Sequence, residues 1–144
     1  MQGPQGNAAA TLVGMLLCAA SGSFFTTTYA QVVTTNIAPD GTLGTVVASP
    51  IPEGLGERYD ISGGTIIGGV NQFHSFDLFS VGTLDIANFT GPPGIQNILS
   101  RVSGGTASEI DGTLRSSIAG ANLFLMNPSG IVFGPNGQIG RAHV

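Results

Sequence analysis

The stretch ANLFLMNPSGIVFGPN, Ala121 to Asn136, sets two short apolar segments on either side of a tight corner. Pro128 fixes φ at about −65°, as the second position of a β-turn requires, and Asn127 ahead of it can bond the turn backbone through its side chain. Gly130 tolerates the exit geometry. Two strands, Asn122 to Met126 and Ile131 to Phe133, are therefore predicted to meet at a sharp bend. Phe124 and Met126 before the bend, and Ile131 and Phe133 after it, alternate with differently directed residues and are expected to fill successive layers of an interior.

The same grammar runs back to Gln31. Apolar segments at Thr45 to Ala48, Thr65 to Val70, Phe73 to Val81, Asp85 to Phe89, Ile98 to Val102 and Ile110 to Leu114 are separated by Gly, Asn, Asp and Pro. No window holds a helical periodicity, so an all-β chain without helices is predicted. In the second half the segments recur about every 10 to 13 residues, with Gly104-Gly105, Gly120 and Pro128-Ser129-Gly130 between them. That spacing suits a sandwich or a solenoid, since both stack short strands with one face inward.

Composition narrows the partners. The 144 residues carry only 8% charged side chains, with 23 glycines and 8 prolines, which excludes helical bundles and coiled coils. The four cations are all arginine against eight acids, and the net charge of −4 leaves no footprint for a phosphate backbone, so no nucleic acid is expected. A hydrophobic content of 42% is enough to fill a core.

No charge precedes Asp40. Ala8 to Ala20 is a run of small and apolar residues, shorter than the roughly 20 residues of a membrane span, and polar Ser21-Gly22-Ser23 follows at once. Residues 1–30 are therefore read as a signal peptide. Thr28 and Ala30 put small side chains at the third and first positions before a cut, so cleavage is expected after Ala30, with Gln31 as the new N-terminus. The first residues depart from the pattern by carrying no Lys or Arg. Cys18, the single cysteine, lies inside this leader; Leu17 before it speaks against a lipoprotein site, and the mature chain would have no thiol or disulfide chemistry.

Taken as one unit, FHSFDLFSVG (Phe73 to Gly82), NILSRVSGG (Asn97 to Gly105), EIDGTL (Glu109 to Leu114) and ANLFLMNPSGIVFGPN resemble the two-partner secretion (TPS) domain of filamentous haemagglutinin-like exoproteins. The likeness covers roughly Asp40 to Gln138. The family's Asn-Pro-Asn-Gly-Ile appears as Asn127-Pro128-Ser129-Gly130-Ile131, one residue different, and its separate Asn-Pro-Asn-Leu element is absent. The resemblance implies a right-handed parallel β-helix, a solenoid with N-terminal β capping elements and extra-helical hairpins, over residues 31–138. It implies a secretion-targeting and folding-nucleation role without enzymatic activity. The implied partner is an outer-membrane β-barrel transporter with periplasmic POTRA domains, and the implied location is the medium or surface of a Gram-negative-type bacterium, reached through the periplasm. A surface adhesin or carbohydrate-binding β-helix is the alternative, with host or matrix glycans engaged through a region downstream.

Other chemistry is thin. His74 and Asp77 share a strand, but His143 is the only other histidine and no spacing resembles a metal cage, so neither metal nor cofactor is expected. Asp40-Gly41 and Asp111-Gly112 are turn dipeptides, and the carboxylates are too scattered for a glycosidase pair. Gly63-Gly64 and Gly68-Gly69 lack the lysine and helix of a phosphate loop. Asn88-Phe89-Thr90 matches a glycosylation acceptor that matters only in a eukaryotic secretory pathway. The final IGRAHV, Ile139 to Val144, resembles the translation of a sequencing adapter at a truncated end, so these residues are expected to belong to no rung.

Overall fold

The computed structural model describes residues 31–141, so the signal-peptide, Cys18 and His143 readings lie outside the described residues. Thirteen strands and no helix make up this part of the chain. Strands β4 (Gly56–Gly63), β7 (Ile86–Phe89), β10 (Thr113–Ser116) and β13 (Gln138–Arg141) stack in parallel as one face. A second parallel face holds β6 (Asn71–Ser80), β8 (Asn97–Val102) and β11 (Asn122–Met126). The third holds β9 (Ser108–Ile110) and β12 (Ile131–Phe133), with Val81 bridged to Ile110. Following the chain from β4 gives three turns of a β-solenoid and the start of a fourth, so the choice between sandwich and solenoid falls to the solenoid.

Rung length is visible in register. Tyr59, Ala87, Leu114 and Ile139 lie over one another at intervals of 28, 27 and 25 residues. The period is therefore that of a whole turn, and the 10 to 13 residue spacing seen in the sequence is that of one face and its corner. Inward side chains fill the lumen with Ile61, Phe76, Phe79, Phe89, Ile98, Val102 and Ile110, all buried. Phe76 and Phe79 both point inward although three residues apart, because the pairing of β6 with β1 (Asn36–Pro39) slips at Ala38/Pro39 and gives β6 a bulge there. Their rings meet edge to face at 5.0 Å between centroids, and Phe79 stacks on Phe89 at 6.1 Å.

Antiparallel strands close the N-terminal end. β1 and β5 (Thr65–Ile67) pair with β6, and β2 (Thr45–Val47) and β3 (Ile51–Glu53) pair with β4. Polar side chains fasten this cap to the turns below. Asp40 accepts from Ser75 Oγ, Ser103 Oγ and Thr42, and these bonds, that of Ser75 foremost, hold its carboxyl well below the usual range. Glu53 receives Arg115 and Arg58 at 2.8 and 2.7 Å, which hold its carboxyl down to about 2.

Two expectations are corrected. Phe124 and Met126 point outward, each 48% exposed, while Leu123 and Leu125 pack against the core. Asn122 to Met126 is apolar on both faces after its first residue, so alternation alone had no phase; pairing with β8 supplies it, by laying Leu123 on buried Ile98. Of the other two, Ile131 packs on the core, and Phe133 lies over Ile110 with half its surface uncovered. Ile139 to Arg141 were expected outside any rung, yet they pair with Leu114 to Ser116. Parallel pairing asks only for main-chain N–H and C=O groups on a free strand edge, and β10 offers one whatever side chains arrive.

Candidate functional site

The corner read first from the sequence is built from main chain and one amide. Gly130 N donates to Asn127 O at 3.0 Å, closing the turn, and Ser129 N donates to Asn127 Oδ1 at 2.9 Å. Gly130 has φ of +107°, a conformation that L side chains rarely adopt. The Asn127 amide nitrogen then reaches back to the preceding turn, donating to Thr106 O and Ser108 Oγ, both at 2.9 Å. Ser108 N returns a bond to Gly130 O at 3.0 Å, and Ile131 sits over Ser108. One side chain thus folds its own corner and fastens it to the corner below. Pro128 and Ser129 face solvent. Ser129 contributes its main-chain N–H, so the single departure from the Asn-Pro-Asn-Gly-Ile pattern falls where another side chain serves equally.

A second junction joins EIDGTL to the end of VFGPN. Asp111 Oδ1 accepts from Asn136 N at 3.0 Å, and both its oxygens lie within 3.3 Å of Asn136 Nδ2. Thr83 Oγ1 donates from the turn below. The Thr83 bond first, then those of Asn136, hold the Asp111 carboxyl below the ordinary carboxylate range. Gly134 makes room for this: a Cβ there would lie 2.2 Å from Asp111 Oδ1. Three successive turns are stitched at this point, so the Asp111-Gly112 dipeptide does more than turn the chain.

Two further ladders escaped sequence reasoning. Asn71, Asn97 and Asn122 open β6, β8 and β11 in register, with Asn97 Nδ2 donating to Asn71 Oδ1 at 2.9 Å and Asn122 Nδ2 to Asn97 Oδ1 at 3.2 Å. The signal was present as three asparagines 26 and 25 residues apart, each opening an apolar run. On the neighbouring face Asn88 Nδ2 donates to Asp60 at 2.7 Å, while Asn88 Oδ1 accepts from Ser117 and Arg115. Asn88, the acceptor of the glycosylation pattern, is 4% exposed and committed to this ladder.

His74 and Asp77 are separated by the sheet: Asp77 is exposed, whereas the imidazole lies in the lumen among Phe76 and Phe89 with Nδ1 3.2 Å from Thr45 Oγ1. Among the described residues no three His, Cys, Asp or Glu side chains gather as for a metal ion. Outside the lumen, Phe73, Leu99 and Phe124 form a column in register across β6, β8 and β11, beside a groove of about 350 Å³ lined by Leu43, Ile67, Arg101 and Met126. Gln31 is exposed. Ala30 lies outside the described residues.

No curated protein and no solved structure matches the chain. A family model, that of the TPS secretion domain, matches residues 35–142, from the start of the cap to the last described strand. With three-quarters of its length matched and its corner motif folded as a junction between turns, the chain belongs to the TPS secretion domain family, whose members target exoproteins to a partner transporter for two-partner secretion.

Proposed function

We propose that the Asn127–Ile131 corner is the secretion motif of this domain and a nucleus for its solenoid. The observation behind this reading is the Asn127 amide, which folds one corner and joins it to the previous one. The chain crosses the periplasm extended after cleavage between Ala30 and Gln31, is bound by the periplasmic POTRA domains of an outer-membrane β-barrel, and folds turn upon turn at the cell surface. An extended segment with few charges suits strand addition to a sheet edge in those domains, so binding should favour unfolded over folded chain and change little with moderate salt. No enzymatic step is involved.

Co-expression with a transporter, followed by assay of the medium, tests this. Partner-dependent export of wild type and retention of Asn127→Ile is the expected result; export without the partner would contradict it. A second reading, a glycan-binding adhesin, is favoured by one feature, the outward column in which exposed Phe124 and half-buried Phe73 flank Leu99, since aromatic rings on a sheet face can stack on sugars. Specific glycan binding by the purified chain would select it.

A further inference from the structure

The lumen of the first two turns is not uniformly apolar. His74 on β6 and Ser100 on β8 are register partners, both 0% exposed, with Leu125 over Ser100 in the turn above. The imidazole uses Nδ1 toward Thr45 Oγ1, but its Nε2 has no partner, and Ser100 Oγ makes no hydrogen bond at all. Of the neighbouring positions on the same strands, Val102 over Phe76 shows the apolar solution. Ile98 lies over Gln72, whose amide nitrogen donates to Gly63 O at 2.8 Å but whose Oε1 is also without a partner. Only the His74–Ser100 level therefore sets one orphaned polar group on another across two turns. Alanine would fill the space of Ser100 without its hydroxyl. In the unfolded chain water satisfies both groups; stacking the second turn on the first takes them out of bulk water, and no protein group offers His74 Nε2 or Ser100 Oγ a bond in exchange.

We propose that the His74–Ser100 pair is a built-in brake on folding, which opposes closure of the second turn on the first and so prolongs the extended state in which the chain can be threaded through its transporter. This rests on the secretion-targeting reading above. Folding and threading compete for the same chain, and a penalty at the contact between the first two turns must be met before the cap and first turn can join the rest of the solenoid, wherever folding begins. The groups are in adjacent turns of one column, so the penalty is incurred only when those turns meet.

The test uses the full 144-residue chain carrying Ser100→Ala, His74→Phe, or both. Refolding from urea should quicken, and the folded-to-unfolded ratio should rise about tenfold for Ser100→Ala. In cells co-expressing the transporter the exported fraction of the same variants should fall, and adding Ile110→Val, which weakens the core without restoring a polar atom, should recover export. Refolding no faster than wild type, or a stability loss in Ser100→Ala, would overturn the brake. Faster refolding with undiminished export would overturn its role in secretion. Should wild type itself leave the cell without any transporter, the secretion reading fails and the brake's role falls with it, whereas the refolding rates stand independently. If His74→Phe does not fold, Ser100→Ala decides alone.

Discussion

Asp111 and Asn136, 25 residues apart, meet through three hydrogen bonds across one rung boundary. Gly134 lies under the same carboxylate, 2.2 Å from Oδ1 to where its Cβ would stand. Gly134→Ala should therefore displace Asp111 and destabilise by roughly 2 kcal/mol, read as a lower urea midpoint. Asp111→Ala, which removes the acceptor that ties Thr83 and Asn136 to one rung boundary, should lower the urea midpoint as well. An unchanged midpoint in both variants would show the junction to be dispensable.

At the corner, Asn127→Ile removes an amide that donates twice and accepts once, and Gly130→Val forces a β-branched residue to φ of +107°. Each is expected to cost on the order of 1–3 kcal/mol and to block export. Ser129→Ala should be silent in both respects, because only the Ser129 main chain takes part. Comparing the three proteins in medium and cell fractions checks the ranking.

Acid should loosen the fold through His74. Burial pulls its imidazole down to about 4 from an ordinary 6.5, so the unfolded chain binds the extra proton between those values. Above pH 6.5 the ring is neutral in both states and leaves stability independent of pH; as pH falls toward 4 the unfolded chain takes up the proton and about 3 kcal/mol of stability is lost across the window. Asp40 and Asp111, held low by their hydrogen bonds, act only below that range, where their contribution is lost in turn. Urea titrations at several pH values should show the slope in wild type, and His74→Phe should flatten it.

The asparagine ladder makes a graded prediction. Asn97 is bonded on both sides, Asn71 and Asn122 on one. Asn97→Ala should destabilise by about 1 kcal/mol and either terminal substitution by about half as much, measured by thermal melts. Equal effects at all three positions would show that the amides do not act as a ladder.

How far the sequence could be read follows from what each residue needs. Corner chemistry is local: Asn127, Pro128 and Gly130 announce a turn within four residues, and the resemblance built around them led to the solenoid. The phase of Asn122 to Met126 is not local, because Leu123, Phe124, Leu125 and Met126 are all apolar and only Ile98, a turn away, decides which pair faces inward. The same holds for Asp111 and Asn136, whose meeting depends on register across a turn and leaves no mark at either position. Asn71, Asn97 and Asn122 lie between these extremes. Their spacing is printed in the sequence, but it shows only when the interval of a whole turn is sought.

The side-chain bonds of the later turns, Asn97 to Asn71, Asn127 to Ser108 and Asn136 to Asp111, each reach back by about one turn. Only the cap makes longer ties, Asp40 to Ser103 and Glu53 to Arg115. Such a molecule resists tension as a series of separate latches. Stretched from its ends, it should yield turn by turn from the C-terminal side, each event releasing about 90 Å of contour length, the extended span of roughly 26 residues. The cap and first turn, tied across several strands at once, should form the last and strongest peak.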